Sequence, residues 1–309
     1  MQAHNRLNSK DNTYCMLRVL TKANAGLKIC HLNAQSLKPK LDEFRYFFEG
    51  SNVDIVCISE TWFDENNKDF VYGVNGYNLF KCDRKSYAGG VAMYIKSGIE
   101  AKVIFKNQES RDIQYLFVEI HSDNQKLLIG TVYRRNRAVN LDDFYDKLRE
   151  TSMPYEEIIL AGDFNSDILK EDCLTSNMAT FGLYTTNTAV PTHYTNTVST
   201  LLDLFFVSNR INVIKYDQIS APTFSKHDLI FLAYDFKTIN EPYNEKFRDF
   251  RHIGYRSLLE SFNLLNLDRI YHMTSVEDQV RFLQDNIRDL YNNFVALKIK
   301  LLPQLKSHG

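Results

Sequence analysis

Seven polar residues in this 309-residue chain stand in or at the ends of apolar runs. Asn33 follows "LKICHL", Glu60 follows "VDIVCIS", and Tyr133 lies at the end of "QKLLIGTVY". Asp163 and Asn165 close "EEIILAGDFN", Asp203 sits in "LLDLFFVS", and His227 opens "KHDLIFLAYDF". Each alone has an ordinary reading, as a turn or helix-cap residue or as a satisfied structural histidine. Together they point to strands that converge their ends on one rim and build a pocket of carboxylates, carboxamides, a phenol and an imidazole. Glu60 offers the hard oxygen ligation that suits Mg²⁺ or Mn²⁺. Asparagines can hydrogen-bond a phosphate oxygen without adding negative charge. His227, paired with a carboxylate such as Asp203, would be oriented and held protonated to stabilise a phosphorane-like transition state. The chain carries no cysteine-nucleophile arrangement, P-loop or zinc spacing. The chemistry that fits is metal-assisted hydrolysis of a phosphoester.

The elements that must position these residues are legible as strands with a few helices. A strand over 27–32 leads into a helix from about Leu37 to Glu49, whose apolar residues cluster on one broad face. "VDIVCISETWF" is a second buried strand. "YNLFKC" with "GGVAMYIK" reads as a hairpin, as does "IQYLFVEIH" with "QKLLIGTVY", with Ser122-Asp123-Asn124 at its turn. Helices are expected over roughly 140–150 and 174–181, and strands at "LLDLFFVS", "VIKYDQIS" and "KHDLIFLAYDF". Hairpin-linked strands with crossing helices predict an α/β sandwich of two packed, mostly antiparallel sheets with outer helices. Residues 1–26 are polar and aperiodic and are expected to form a loose lead-in. The domain proper is assigned to 27–236. Beyond it, 237–309 loses strand character. Val276, Val280, Leu283, Ile287, Leu290 and Phe294 recur at helical spacing behind a Ser275 cap, so a helical extension is expected there.

Composition narrows the class without deciding it. A hydrophobic content of 44% and a formal net charge of -1 describe an ordinary globular chain with no global basic field. Five cysteines without C-x-x-C spacing, two of them (Cys30 and Cys57) inside apolar runs, point to core thiols and a reducing, intracellular setting. No stretch approaches the roughly eighteen uninterrupted apolar residues of a membrane span, and no secretory-signal layout opens the chain.

"LNAQSL", "SETW", "TVYRRN", "LAGDFN", "PTHYTNTVSTLLDLFFVS" and "SKHDLI" occur in the order found in the endonuclease/exonuclease/phosphatase superfamily. Over about 27–236 the chain most resembles the apurinic-like endonuclease domain of LINE-type (non-LTR) retrotransposons, within those the insect jockey-like elements. That resemblance implies a DNase-I-like four-layer α/β sandwich and a Mg²⁺- or Mn²⁺-dependent nick in double-stranded DNA. The product would carry a free 3′-hydroxyl to prime reverse transcription. It assigns Glu60 as the main metal ligand with Asn33 positioning the metal, Tyr133 to the target phosphate, Asp163 to the attacking water and Asn165 to water or phosphate. Asp203 would pair with His227, which braces the scissile phosphate, while Thr192 and Ser225 match positions of phosphate or site-support hydrogen bonds. Arg134 and Arg135 are candidate contacts to the DNA backbone, and Trp62 is read as packing. The implied partner in cis is a reverse transcriptase, whose aspartate signature does not occur in these residues, and the implied location is the nucleus. The chain departs from its relatives at Lys226, where they usually carry aspartate. This reversal of charge would weaken a second metal position, leaving Lys226 to contact DNA phosphate, to pair with Asp228, or to impair activity. A phosphatase or phosphodiesterase of the same fold, and a non-catalytic domesticated nucleic-acid-binding copy, stand as alternatives.

Overall fold

The computed structural model describes residues 10–301 apart from 50, 65–68, 85–87, 109, 111, 123–124, 171–172, 221–224, 239–243, 249–253 and 296. The chain divides into two compact units, Met1–Glu241 and Pro242–Gly309. In the first, the helices are α1 (Lys10–Ala23), α2 (Leu41–Phe48), α3 (Asp142–Ser152) and α4 (Cys173–Ala179). Its strands are β1 (Leu27–Asn33), β2 (Ile55–Ser59), β3 (Tyr77–Cys82), β4 (Val91–Lys96), β5 (Ala101–Lys106), β6 (Ile113–His121) and β7 (Lys126–Arg134). They continue as β8 (Glu157–Asp163), β9 (Tyr184–Thr185), β10 (His193–Tyr194), β11 (Ser199–Thr200), β12 (Asp203–Val207), β13 (Val213–Ile219) and β14 (Leu229–Tyr234). Two six-stranded sheets result, ordered β13-β14-β1-β2-β4-β3 and β5-β6-β7-β8-β12-β9.

Alternation along the strands builds the layers. Leu27, Ile29, Ile55 and Cys57 from one sheet meet Leu127, Ile129, Ile159, Ala161, Phe205 and Val207 from the other in the central core. The intervening residues of the first sheet, among them Cys30, Leu32, Val56 and Ile58, pack outward on Leu17 of α1 and on Phe44, Phe47 and Phe48 of α2. On the far side, Leu128, Leu160, Leu204 and Phe206 meet Phe144 and Leu148 of α3 and Leu174 and Met178 of α4. This is the expected four-layer α/β sandwich.

Strand direction then fixes where the polar residues go. Each sheet has one parallel pair at its centre, β1 with β2 and β7 with β8. Parallel neighbours finish at the same end of a sheet, and antiparallel neighbours begin there. The register places Asn33 opposite Ser59 in one sheet, and Tyr133, Asp163 and Asp203 side by side in the other. β14 runs antiparallel to β1, so His227, two residues before it, reaches the same rim.

Two expectations need amendment. The lead-in expected to be loose contains α1, whose buried face is Thr13, Leu17 and Thr21 at spacings of four. Two of those three are threonines, so an apolar-only pattern hides the face. The second unit is also not helical throughout. Alongside α5 (Tyr255–Asn263) and α6 (Val276–Phe294), β15 (Asn244–Arg248) pairs antiparallel with β16 (Leu297–Leu301). The alternation Leu297-Lys298-Ile299-Lys300-Leu301 carries a period of two that a helical reading of the stripe runs into. Ser275 does cap α6, accepting from the backbone N–H of Asp278. Asp123 and Asn124, assigned to the β6–β7 turn, lie outside the described residues. Among those described, no helix is long and apolar enough to cross a membrane.

Gly162 explains one motif residue by packing alone. A Cβ there would lie 2.2 Å from the backbone oxygen of Val132 on the neighbouring parallel strand β7. Gly162→Ala is therefore expected to destabilise the fold by about 2–3 kcal/mol, since two paired strands must part to admit one methyl group. Urea unfolding followed by circular dichroism measures it, and an unchanged midpoint would contradict the account.

Candidate active site

The network starts at Asn33, whose Oδ1 accepts from the backbone N–H of Gln35 at 2.9 Å. That contact fixes the amide's orientation. Its Nδ2 then donates to Glu60 Oε1 at 2.8 Å and to Asp163 Oδ2 at 2.7 Å. One carboxamide thus holds the ends of both sheets together and positions the two carboxylates as a donor. Glu60 is partly exposed and accepts a second bond from Trp62 Nε1 at 3.3 Å. Trp62, read as packing, is 39% exposed and orients this carboxylate instead. Asn33 and Trp62 are neutral donors to Glu60, and among the described residues it forms no ion pair. A partly exposed carboxylate held by neutral donors at the rim suits a hard-metal ligand.

A second cluster is fully interior. His227 Nδ1 lies 2.8 Å from Asp203 Oδ2, and the hydroxyl of Thr192 donates to the same oxygen at 2.7 Å. Thr192 Oγ1 in turn accepts from the backbone N–H groups of Leu202 and Asp203. Ser225 joins the two clusters, donating to the Asn33 carbonyl at 2.6 Å and accepting from the His227 N–H at 2.9 Å. Thr192 and Ser225 therefore support the site from within.

Electrostatics separate the two aspartates. Burial lowers the proton affinity of His227, but the Asp203 carboxylate and its hydrogen bond outweigh this and raise the pKa to about 9. Asp203 is lowered: burial acts against it, and the His227 charge and hydrogen bond overcome the penalty. Asp163 goes the other way, raised by burial and by repulsion from Asp203. Burial, then Glu60 and Asp163, raise the Tyr133 phenol, which stays a donor at neutral pH. Asp163, Asp203 and His227 all offer ligand atoms within 4.8 Å of one another. With His227 carrying a proton toward Asp203, that triad is an internal ion pair, and a divalent cation fits better on the Glu60 side of Asn33.

Backbone strain marks the same rim. The non-glycine residues with positive φ among those described are Gln35, Ser36, Glu60, Trp62 and Asn165, at 43°, 75°, 53°, 52° and 47°. Each lies within three residues of the end of β1, β2 or β8. Left-handed backbone is costly for residues with a Cβ, and it gathers where a fold aims functional side chains.

The other candidates fall less neatly. Asn165 donates its backbone N–H to Asp163 Oδ1 at 2.9 Å and its Nδ2 to the Arg134 carbonyl at 2.6 Å, so it pins the turn after β8 to the end of β7. Arg134, expected on DNA, is 8% exposed and donates from Nε to the Val139 carbonyl, bracing the following loop. Arg135 is about half exposed and pairs with Asp112 at 3.5 Å. Lys226 is exposed, and among the described residues it makes no ion pair. Asp228, its expected partner, accepts from Gln218 Nε2 at 2.8 Å. Two histidines escaped the sequence reading. The His193 ring lies against His227 in a tilted arrangement with centroids 4.5 Å apart, and burial together with neighbouring positive charge, His227 before Lys226, lowers its pKa. His31 lies beneath Asp203, on the face of β1 that also bears Asn33. The spacing of two between His31 and Asn33 was the available signal.

The sequence profile described as "Endonuclease/Exonuclease/phosphatase family" matches residues 24–226. The chain belongs to this family. Its fold is shared with a solved endonuclease/exonuclease/phosphatase family protein from Leptotrichia buccalis C-1013-b. That protein has 17% identity and a TM-score of 0.54, over 68% of this chain and 100% of the other. The endonuclease domain of TRAS1, a telomere-specific non-LTR retrotransposon, is similar at 14% identity and TM-score 0.54, over 70% and 100% of the two chains. The AP endonuclease LMAP from Leishmania major is similar at 18% identity and TM-score 0.54, over 68% and 88%. At these identities the likeness is one of fold. No curated protein sequence matches the chain.

Proposed function

We propose that the chain is a Mg²⁺- or Mn²⁺-dependent endonuclease that nicks double-stranded DNA and leaves a 3′-hydroxyl for target-primed reverse transcription of a LINE-type element. The observation that carries this is the single hydrogen-bonded network joining Glu60, Asn33 and Asp163 through Ser225 to the His227–Asp203 pair. It brings a metal-binding carboxylate, a candidate base and a protonated imidazole to one rim, as hydrolysis of a phosphodiester requires. The ordered motifs of the sequence favour the LINE-type reading within the family.

In this mechanism Glu60 would hold the divalent ion, with Asn33 setting its carboxylate. When bound, the ion supplies Lewis-acid polarisation of a phosphate oxygen. Asp163, whose environment raises its proton affinity, orients the water and takes its proton. The His227 imidazolium, braced by Asp203, donates to the phosphoryl oxygen on which negative charge builds. The Tyr133 hydroxyl donates to the target phosphate. Lys226, exposed beside this rim, is assigned to the DNA backbone.

Incubation with supercoiled plasmid in Mg²⁺ tests the reading. Open circles that DNA polymerase extends directly, and that disappear with chelator, are the expected result. Hydrolysis of small phosphomonoesters without nicking would assign a phosphatase instead. Plasmid binding without cleavage of either substrate would assign a non-catalytic copy.

A further inference from the structure

Asp203 is completely buried, and its two oxygens are treated unequally. Oδ2 receives both Thr192 and His227, while Oδ1 has no hydrogen-bond partner. The group nearest in kind to Oδ1 is His31 Nδ1, at 3.6 Å, and this nitrogen is likewise buried with no hydrogen-bond partner. The other ring nitrogen, Nε2, lies 3.2 Å from Ser59 Oγ. A hydroxyl donating to Nε2 leaves the ring proton on Nδ1, facing the carboxylate. At 3.6 Å this is no formed hydrogen bond, yet an N–H dipole aimed at a carboxylate in a low-dielectric interior is still strongly felt.

Packing alone does not call for a histidine here. The preceding positions on the same face of β1, Leu27 and Ile29, are apolar members of the central core. His31 is fully enclosed, so its polar ring brings a desolvation cost that only a partner offsets. The groups that face it are Ser59 from β2 and Asp203 from β12, and the latter stands between His31 and His227.

We infer that His31 is a positioning residue. Seated on the Oδ1 side of Asp203, with its tautomer set by Ser59, it fixes the carboxylate plane that presents Oδ2 to His227. The inference rests on the reading of Asp203 and His227 as the phosphate-bracing pair. It extends that pair to a chain of Ser59, His31, Asp203 and His227 running across both sheets.

Two variants of the full chain test it. His31→Leu removes the dipole, whereas His31→Asn keeps an N–H donor close to where Nδ1 stands. The readouts are kcat and KM for plasmid nicking and the downfield proton resonance of the His227–Asp203 hydrogen bond. His31→Leu is expected to lower kcat about tenfold with KM unchanged, and to broaden or shift that resonance. His31→Asn should return kcat to within about threefold of the parent. A folded His31→Leu protein with parental kcat and resonance overturns the inference, and so does an asparagine variant as slow as the leucine one. Should His31→Leu fail to fold, Ser59→Ala removes only the hydroxyl that sets the tautomer. A parental resonance there is equally fatal. If the parent nicks no DNA, the resonance comparison still decides the role of His31, so the two readings fail separately.

Discussion

Glu60→Gly is expected to lose Mg²⁺-dependent nicking by about a thousandfold or more, while melting at a temperature close to the parent's. The loss follows from removing the partly exposed rim carboxylate assigned to the metal. A bound divalent ion contributes several kcal/mol to the transition state of phosphoryl hydrolysis, and each 1.4 kcal/mol is about tenfold in rate. The retained stability follows from the backbone. Glu60 has φ of 53°, which glycine adopts without strain. Relief of about 1 kcal/mol or more offsets the added freedom of glycine in the unfolded chain. Asn33 keeps its bond to Asp163 when the glutamate is gone. Manganese titration followed by electron paramagnetic resonance measures metal binding directly, beside the plasmid assay and thermal melting. Nicking within tenfold of the parent would remove Glu60 from the metal site. A large fall in melting temperature would show that the left-handed turn does not depend on its aim at a ligand.

That pairing of lost activity with unlost stability applies to the rim as a whole. Gln35, Ser36, Trp62 and Asn165 share the left-handed backbone of Glu60. Beneath them, the inter-sheet face is apolar through Ile55 and Cys57 of β2 and through Ile159 and Ala161 of β8 before Ser59 and Asp163, while β1 turns polar at His31 and Asn33, β7 at Thr131, and β12 opens on Asp203. The core holds each strand to its end, and the final residues are freed for other work. A polar group at that depth survives because its neighbours across the sheet are polar too. Asn33 alone satisfies two carboxylates.

This gradient is also why the sequence was informative. An apolar run that begins or stops at a polar residue can be seen residue by residue, and that pattern is what singles out Asn33, Glu60, Asp163, Asp203 and His227 as candidates. Alternation of period two likewise shows the strands and hence the sandwich. What escaped depends on turns and crossings that no local pattern encodes. Arg134 looks like a rim cation until the loop after β7 folds back and offers it the Val139 carbonyl. Thr192 is named through the family resemblance alone, since no local pattern shows that its hydroxyl meets Asp203 across eleven residues. His31 was hidden by its own strand, because a histidine inside an apolar run reads as a structural group. Helix α1 went unseen because Thr13 and Thr21 share its buried face with Leu17.

His227→Asn should lower kcat by about a hundred- to a thousandfold with little change in KM, the usual cost of removing one preorganised donor to developing charge. Asparagine is the informative replacement. Its Nδ2 can stand where Nδ1 stands and keep the 2.8 Å contact to Asp203, so the buried carboxylate is not left uncompensated. It lacks Nε2 and cannot carry a positive charge. Alanine would confound the loss of the donor with the cost of stranding Asp203. The parent's rate should itself fall as pH rises through about 9, where His227 gives up its proton. The asparagine variant should lack that limb. Stability carries the same sign. The folded pKa lies above the ordinary 6.5, so the contribution of the protonated pair is complete below about 6.5 and is lost as pH climbs through about 9. Denaturant unfolding at pH 6 and pH 10 should show the parent losing more stability than the variant. A parental rate in the asparagine variant, or an unchanged alkaline limb, would mean that His227 holds Asp203 in place and never reaches the phosphate.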